Sequence, residues 1–148
     1  MKSEPEVYSI DNLQRDKTTL WEGVRNYQAR NFMLRDMQLG DQVLFYHSNA
    51  TPPGIAGLAE VCGLAEPDPT QFDAKSEYHD PKSTRENPRW HCVRLRFRQK
   101  FPELISLEQL RGAQALKEML VLKKGQRLSV QPVTAKEFQY IVKWAQGL

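Results

Sequence analysis

At 148 residues, with 40% hydrophobic and 26% charged side chains, the chain has the make-up of one average globular domain. That composition excludes collagen-like, disordered and disulfide-scaffold chains, and a formal charge of +3 permits nucleic-acid binding without announcing it. No apolar run approaches the roughly 18–20 residues that span a bilayer, and no basic segment followed by an apolar stretch opens the chain, so a secretory leader is not expected. A single domain with no membrane partner is therefore expected; a monomer is taken as the expectation, and the two reduced cysteines favour a cytoplasmic setting.

In chain order, the first predicted element is a short helix over about Ser9–Arg15, capped by Ser9, with Ile10 and Leu13 on one face. Gly23 interrupts the helix-like spacing of Trp21, Val24 and Tyr27, so Trp21–Arg25 reads as a loop. Asn26 then caps a helix that runs through Phe32 and Met33 toward Met37, and Leu39-Gly40-Asp41 turns the chain. Gln42–Ser48 alternates as a strand, with Val43, Phe45 and His47 opposite Leu44, Tyr46 and Ser48. Pro52-Pro53-Gly54 signals a turn into a second strand, Ile55–Val61, antiparallel to the first. Its glycine and alanine content predicts a close neighbour.

Residues 63–89 carry Pro67, Pro69, Pro81 and Pro88 and no periodicity, which predicts a long functional or mobile loop. Arg89–Lys100 resumes a strand, with Val93, Leu95 and Phe97 inward and Arg94, Arg96 and Arg98 outward. Ser106–Gln109 and Thr134–Glu137 are capping boxes. A helical stretch is expected over Ala113–Leu120 and a last strand over Gln126–Val133. The C-terminal helix places Phe138, Ile141, Val142 and Ala145 on one face. The sum is an α+β fold: strands, antiparallel or mixed, that close into a small β-barrel, with peripheral helices.

The sequence holds no nucleophile elbow, Walker or dinucleotide glycine pattern, and no zinc-deaminase signature. Cys62 and Cys92 lie far apart, and adjacent His91 and Cys92 point to opposite faces of a strand. Neither a metal site nor a cofactor is expected. Trp21 serves either as core or as a stacking platform for a base, with Arg25 beside it as a phosphate partner. Ser48 and Asn49 either build a turn or present donors and acceptors to a base edge. The stripe Arg94, Arg96 and Arg98, with Arg85, Arg89 and Lys100, is either a solvated face or a surface that tracks a phosphate backbone. Lys123, Lys124 and Arg127 form a weaker basic patch.

Several segments then carry a resemblance. They are Lys2-Ser3-Glu4-Pro5, Tyr8-Ser9-Ile10, Trp21 through Asn31, Leu44 through Asn49, Pro52 through Gly57, Asp80 through Ser83, Asn87 through Trp90, and Leu128 through Val133. Together, and in this order, they resemble the EVE domain family. Family members ordinarily carry a few residues ahead of Lys-Ser-Glu-Pro, so either a shortened first strand or a misassigned start is expected, and any wall of the base site from that strand is affected. The resemblance implies a PUA-like fold and a nucleic-acid reader that accommodates a flipped modified base, with 5-methylcytosine-type DNA favoured. By the same carry-over the base site is Lys2, Ser3, Trp21, Val24, Arg25, Asn26, Ser48, Asn49, Pro53 and Trp90, closed by Ser129 and Gln131. Arg89, Arg94, Arg96 and Arg98 would contact phosphates. An RNA-binding module is the alternative, followed by an enzyme acting on a flipped base through a carboxylate such as Glu4. A protein-interaction role for loop 63–89 comes last. The reader needs an aromatic slot open to solvent beside Trp21 or Trp90.

Overall fold

In the computed structural model, which describes residues 1–125 and 128–147, two long strands form the spine of the molecule. These are β4 (Gly54–Pro67) and β5 (His91–Ser106), paired antiparallel. Strand β3 (Gln42–His47) lies antiparallel on the other edge of β4. The two-residue β1 (Lys2–Ser3) adds parallel to β3, and β2 (Thr18–Leu20) adds antiparallel to β5. The hydrogen-bond ladder thus runs β1-β3-β4-β5-β2. Between β4 and β5 the register shifts four times. Each bulge bends the strand and increases its twist, so the long pair coils instead of lying flat.

The sheet is buried on both faces, which accounts for the near-continuous apolar character of Val43 through Tyr46. Val43 and Phe45 join Ile10, Leu13, Trp21, Met33, Val61, Val93 and Leu95 in one core. Leu44 and Tyr46 join Ile55, Leu58, Phe101, Ile105, Leu110, Leu116 and Ile141 in the other. Helices α1 (Ile10–Asp16) and α2 (Tyr27–Asn31) cover the first face. Helices α3 (Leu107–Arg111) and α4 (Ala135–Ala145) cover the second. The expected caps form: Ser9, Ser106 and Thr134 each close a capping box, and Asn26 Oδ1 accepts from the Ala29 amide at 3.0 Å. Gly57 supplies the close approach expected of the second strand. A Cβ there would stand 2.3 Å from the Gln99 carbonyl and 3.0 Å from Ile10.

Four expectations change. Strand β2 has no signal in the sequence: only three residues long, it is held by pairing with Arg94–Arg96 of β5. Strand β4 extends to Pro67, so the long loop begins at Asp68. The predicted helix over Ala113–Leu120 is two 3-10 turns, Gln114–Leu116 and Leu120–Leu122, because Ala113 and Met119 are extended. The last strand does not form over the part of Gln126–Val133 that is described, Leu128–Val133. Pro132 has no amide to give a ladder, and the segment is tied instead by the Lys2 amide donating to the Ser129 carbonyl at 2.8 Å. Gln126 and Arg127, parts of the predicted strand and basic patch, lie outside the described residues. Among the described residues, no helix is long and apolar enough to cross a membrane.

Candidate nucleic-acid interface

The loop from Trp21 to Asn26 is hydrogen-bonded to the long loop Asp68–Trp90, and Glu4, which follows β1 and holds Asn49 after β3, is close enough for its charge to be felt at Tyr78 of that loop. Gly23 sets the first contact. Its φ of +83° is a conformation that favours glycine, and a Cβ there would lie 2.7 Å from the Tyr78 ring. Tyr78 therefore rests directly on backbone. Its hydroxyl feels the charge of Glu4 as well as its hydrogen-bonded neighbour Glu77. Burial, the larger cause, and these carboxylates hold the phenol above its ordinary pKa. Tyr78 thus rests on the Gly23 loop, with Glu4 near enough for its charge to be felt.

A buried carboxylate fixes this arrangement. Asp68 is 1% exposed. One oxygen accepts from the Gly23 amide at 2.8 Å and from Arg25 Nη1 at 3.1 Å; the other accepts from the Thr70 amide and hydroxyl. Burial pushes its pKa up, but the Thr70, Gly23 and Arg25 donors outweigh burial and hold it below the usual carboxylate range. Arg25 in turn donates through Nε and Nη2 to the Tyr78 carbonyl, through Nη1 to the Val24 carbonyl, and through Nη2 to Thr70 Oγ1. All five guanidinium hydrogens are engaged within the protein. Arg25 is a latch between the two loops, which corrects its expected role as a phosphate contact. Gln71, fully buried, bonds the Asp68 and Trp90 carbonyls and the Arg89 and Trp90 amides, and so closes the long loop on itself.

The strand ends supply the polar groups. Asn49 adopts a left-handed φ of +47°, and its Nδ2 donates to Glu4 Oε1 at 2.6 Å. The carboxylate considered for chemistry thus orients the amide. Ser48 donates its backbone N–H to the Ser3 carbonyl at 2.9 Å, and its hydroxyl makes no hydrogen bond among the described residues. Ser3 Oγ donates to the Tyr8 carbonyl at 2.6 Å. His47, just before Ser48, accepts the Ile10 amide at Nε2. Burial depresses its pKa and keeps it neutral for that bond.

The two indole rings do not form the open slot that the reader was expected to need; the solvent-facing ring beside Trp90 is that of Tyr27, stacked on it. Trp21 is 8% exposed and packs edge-on against Phe45 in the core, with Val24 buried beside it. Trp90 is 6% exposed; its indole N–H donates to Asp80 at 2.8 Å, and its face stacks on Tyr27. Both are scaffold, because an indole of this size costs less buried against apolar neighbours than left in water. The accessible aromatic of this cluster is Tyr27, 51% exposed.

Other expected residues fall elsewhere. Lys2 and Ser3 leave β1 on opposite faces. Lys2 sits over Tyr46 at 5.9 Å and joins Ser129 and Gln131 around a small crevice of about 30 Å³. Lys2, Ser129 and Gln131 therefore form a group apart from the Gly23–Tyr78 contact. Pro53 uses its carbonyl to accept the Leu107 amide at 2.9 Å. Asn26 is the exposed cap of α2. Arg89 is half-buried near Asp80, whose pKa it helps lower behind the larger effect of the Trp90 hydrogen bond. In the arginine stripe, Arg96 and Arg98 reach Glu60 at 3.5 and 3.8 Å, and Arg94 reaches Glu66 at 4.0 Å. Sequence reasoning missed Asp68, Gln71, Tyr78 and Tyr27. Asp68-Pro69 and Asp80-Pro81 were the available signals, since an Asp that precedes Pro marks a capped turn. Among the described residues, no group of three or more His, Cys, Asp or Glu side chains could hold a metal ion.

Comparison with known proteins places this architecture. Human thymocyte nuclear protein 1 is 44% identical over 160 aligned residues, which cover 96% of this chain and 71% of that protein. A hypothetical protein of Leishmania major superposes with a TM-score of 0.94 at 47% identity, covering 99% of this chain and 92% of that one. Human THYN1, solved in complex with 5-methylcytosine containing DNA, superposes with a TM-score of 0.90 at 42% identity and covers 99% of this chain and 95% of that one. The family model for the EVE domain matches residues 1–144, and the chain belongs to that family.

Proposed function

We propose that this chain is a binding module for DNA that carries 5-methylcytosine, and that Ser48 and Asn49 read the modified base with Tyr78 as its aromatic neighbour. The observation that carries this reading is the likeness over nearly the whole chain to the human relative solved with 5-methylcytosine containing DNA. The local chemistry agrees. Asn49 keeps its carbonyl oxygen and one amide hydrogen, and Ser48 keeps its hydroxyl. Those groups complement the donor and two acceptors on a cytosine edge. Extrusion of the base costs a few kcal/mol, which these hydrogen bonds and contact with Tyr78 offset.

The arginine stripe, with Arg89, contributes phosphate contacts. Its partners Glu60 and Glu66 do not prevent this, because exposed ion pairs contribute only about 0–1 kcal/mol each and a phosphate can replace a carboxylate. Burying one methyl is worth ~0.8 kcal/mol, so the methyl alone gives about a fourfold preference. The module acts as a monomer.

Fluorescence anisotropy tests the reading with short duplexes that carry cytosine, 5-methylcytosine or its hydroxymethyl form, and with RNA of matching sequence. The expected result is a few-fold preference for the modified duplex and weaker binding of both duplexes by Asn49→Gly, glycine being chosen to keep the left-handed backbone. Equal affinity for modified and unmodified DNA, unchanged by Asn49→Gly, would overturn it, and tighter binding of RNA would reassign the partner.

A further inference from the structure

Tyr27 is the first residue of α2 and stands 51% exposed. An aromatic side chain left in water ordinarily keeps its rotamer freedom. Here one face of the ring lies on Trp90, with centroids 4.8 Å apart and planes 20° from parallel. Trp90 cannot yield: its indole N–H is held by Asp80, its amide by Gln71 Oε1 and its carbonyl by Gln71 Nε2. The Arg30 guanidinium lies 4.6 Å from the Tyr27 ring centre and 5.9 Å from that of Trp90. With the two rings 4.8 Å apart, these three centres form a triangle and not a column. Arg30 therefore flanks the stack and does not cap the outer face of Tyr27. It is fixed there by Asn31 Oδ1 and the Arg89 carbonyl. The result is an ordered, solvent-facing aromatic plane at a cationic rim, and its ordering cost is met in the free protein.

We infer that the outer face of Tyr27 is a stacking surface for a nucleobase next to the extruded nucleotide. The inference rests on the reading that the protein binds modified DNA. Extrusion leaves the neighbouring base with one unstacked face, and every base offers a π surface to an aromatic ring whatever its sequence. Arg89 lies on the same loop as Trp90, with Lys82 and Arg85 further along it, so the bound strand would meet positive charge beside the platform. A merely structural Tyr27 would only shield Trp90 from water, a task an aliphatic side chain performs as well.

The test places 2-aminopurine beside a single 5-methylcytosine and compares the wild type with Tyr27→Phe and Tyr27→Leu. The wild type should quench the probe on binding, and Tyr27→Phe should match it in affinity and quenching. Tyr27→Leu should weaken binding roughly tenfold and leave the probe bright. Wild-type affinity and quenching in Tyr27→Leu, or no quenching by the wild type, overturns the platform while a preference for modified DNA leaves the reader standing. Absence of that preference in the wild type overturns both. If Tyr27→Leu fails to fold, wild-type quenching alone decides.

Discussion

Replacing Asp68 with asparagine should unlatch the two loops that build the interface. The carboxylate is almost fully buried and accepts from Gly23, Arg25 and Thr70. An asparagine keeps one acceptor oxygen and turns an NH2 group toward donors. With the NH2 toward Gly23 and Arg25 two hydrogen bonds disappear, and with it toward Thr70 the amide bond disappears while the hydroxyl can turn to accept; either way a backbone N–H faces a donor. Removing one partner of a buried pair costs about 3–5 kcal/mol, but Arg25 is 21% exposed and keeps the Tyr78 and Val24 carbonyls. The expected loss is therefore ~2–4 kcal/mol, or roughly 5–15 °C in Tm for a domain of this size. Urea unfolding should show a lower midpoint at unchanged slope. Arg25→Met and the double variant complete a cycle whose coupling should exceed about 1 kcal/mol. Affinity for modified DNA should fall as well, since Tyr78 and Trp90 ride on the released loop. The pH dependence follows from the depressed carboxyl. Its contribution is complete above the ordinary carboxylate pKa near 4 and is lost as pH falls through the lower folded value. Acid unfolding should accordingly be shallower in Asp68→Asn. A variant within about 0.5 kcal/mol of the wild type, with no coupling to Arg25, would refute the latch.

Gly23→Ala should cost about 1–3 kcal/mol through its positive φ and the clash with Tyr78, and Tyr78→Ala in that background should restore the steric part; chemical denaturation reads both. His47 and His91 are both depressed below the ordinary histidine value, chiefly by burial. Their contribution is complete above about pH 6.5 and is lost as pH falls through the folded pKa. Thermal melts between pH 7 and pH 5 should show Tm falling, and His47→Gln, a neutral acceptor for the Ile10 amide, should fall less steeply. Substituting Arg94, Arg96 and Arg98 together by alanine should leave stability within ~1 kcal/mol, because their ion pairs are exposed. The same change should reduce the salt dependence of DNA binding by about 0.9 for each phosphate that is no longer neutralised, and an unchanged slope would take the stripe out of the interface.

The parts of this protein written in local sequence were those governed by local rules. Ser9, Asn26, Ser106 and Thr134 each cap a helix because a side-chain oxygen reaches an amide two or three residues on, and that geometry needs no tertiary partner. The alternation of Val43 to Tyr46 set two faces of a strand, and both proved to be core. The family signature ran the length of the chain and pointed to a reader of modified bases. What waited for the tertiary structure was everything that depends on distant residues meeting. Strand β2 exists because β5 offers it an edge. Arg25 looked like a free cation until Asp68, Thr70 and the Tyr78 carbonyl, far along the chain, took most of its hydrogens. Burial separated the aromatics in the same way: Trp21 and Trp90 went inside while Tyr27 stayed at the surface. A sequence shows which groups can stack or pair. Only the packed chain decides which of those faces are already used.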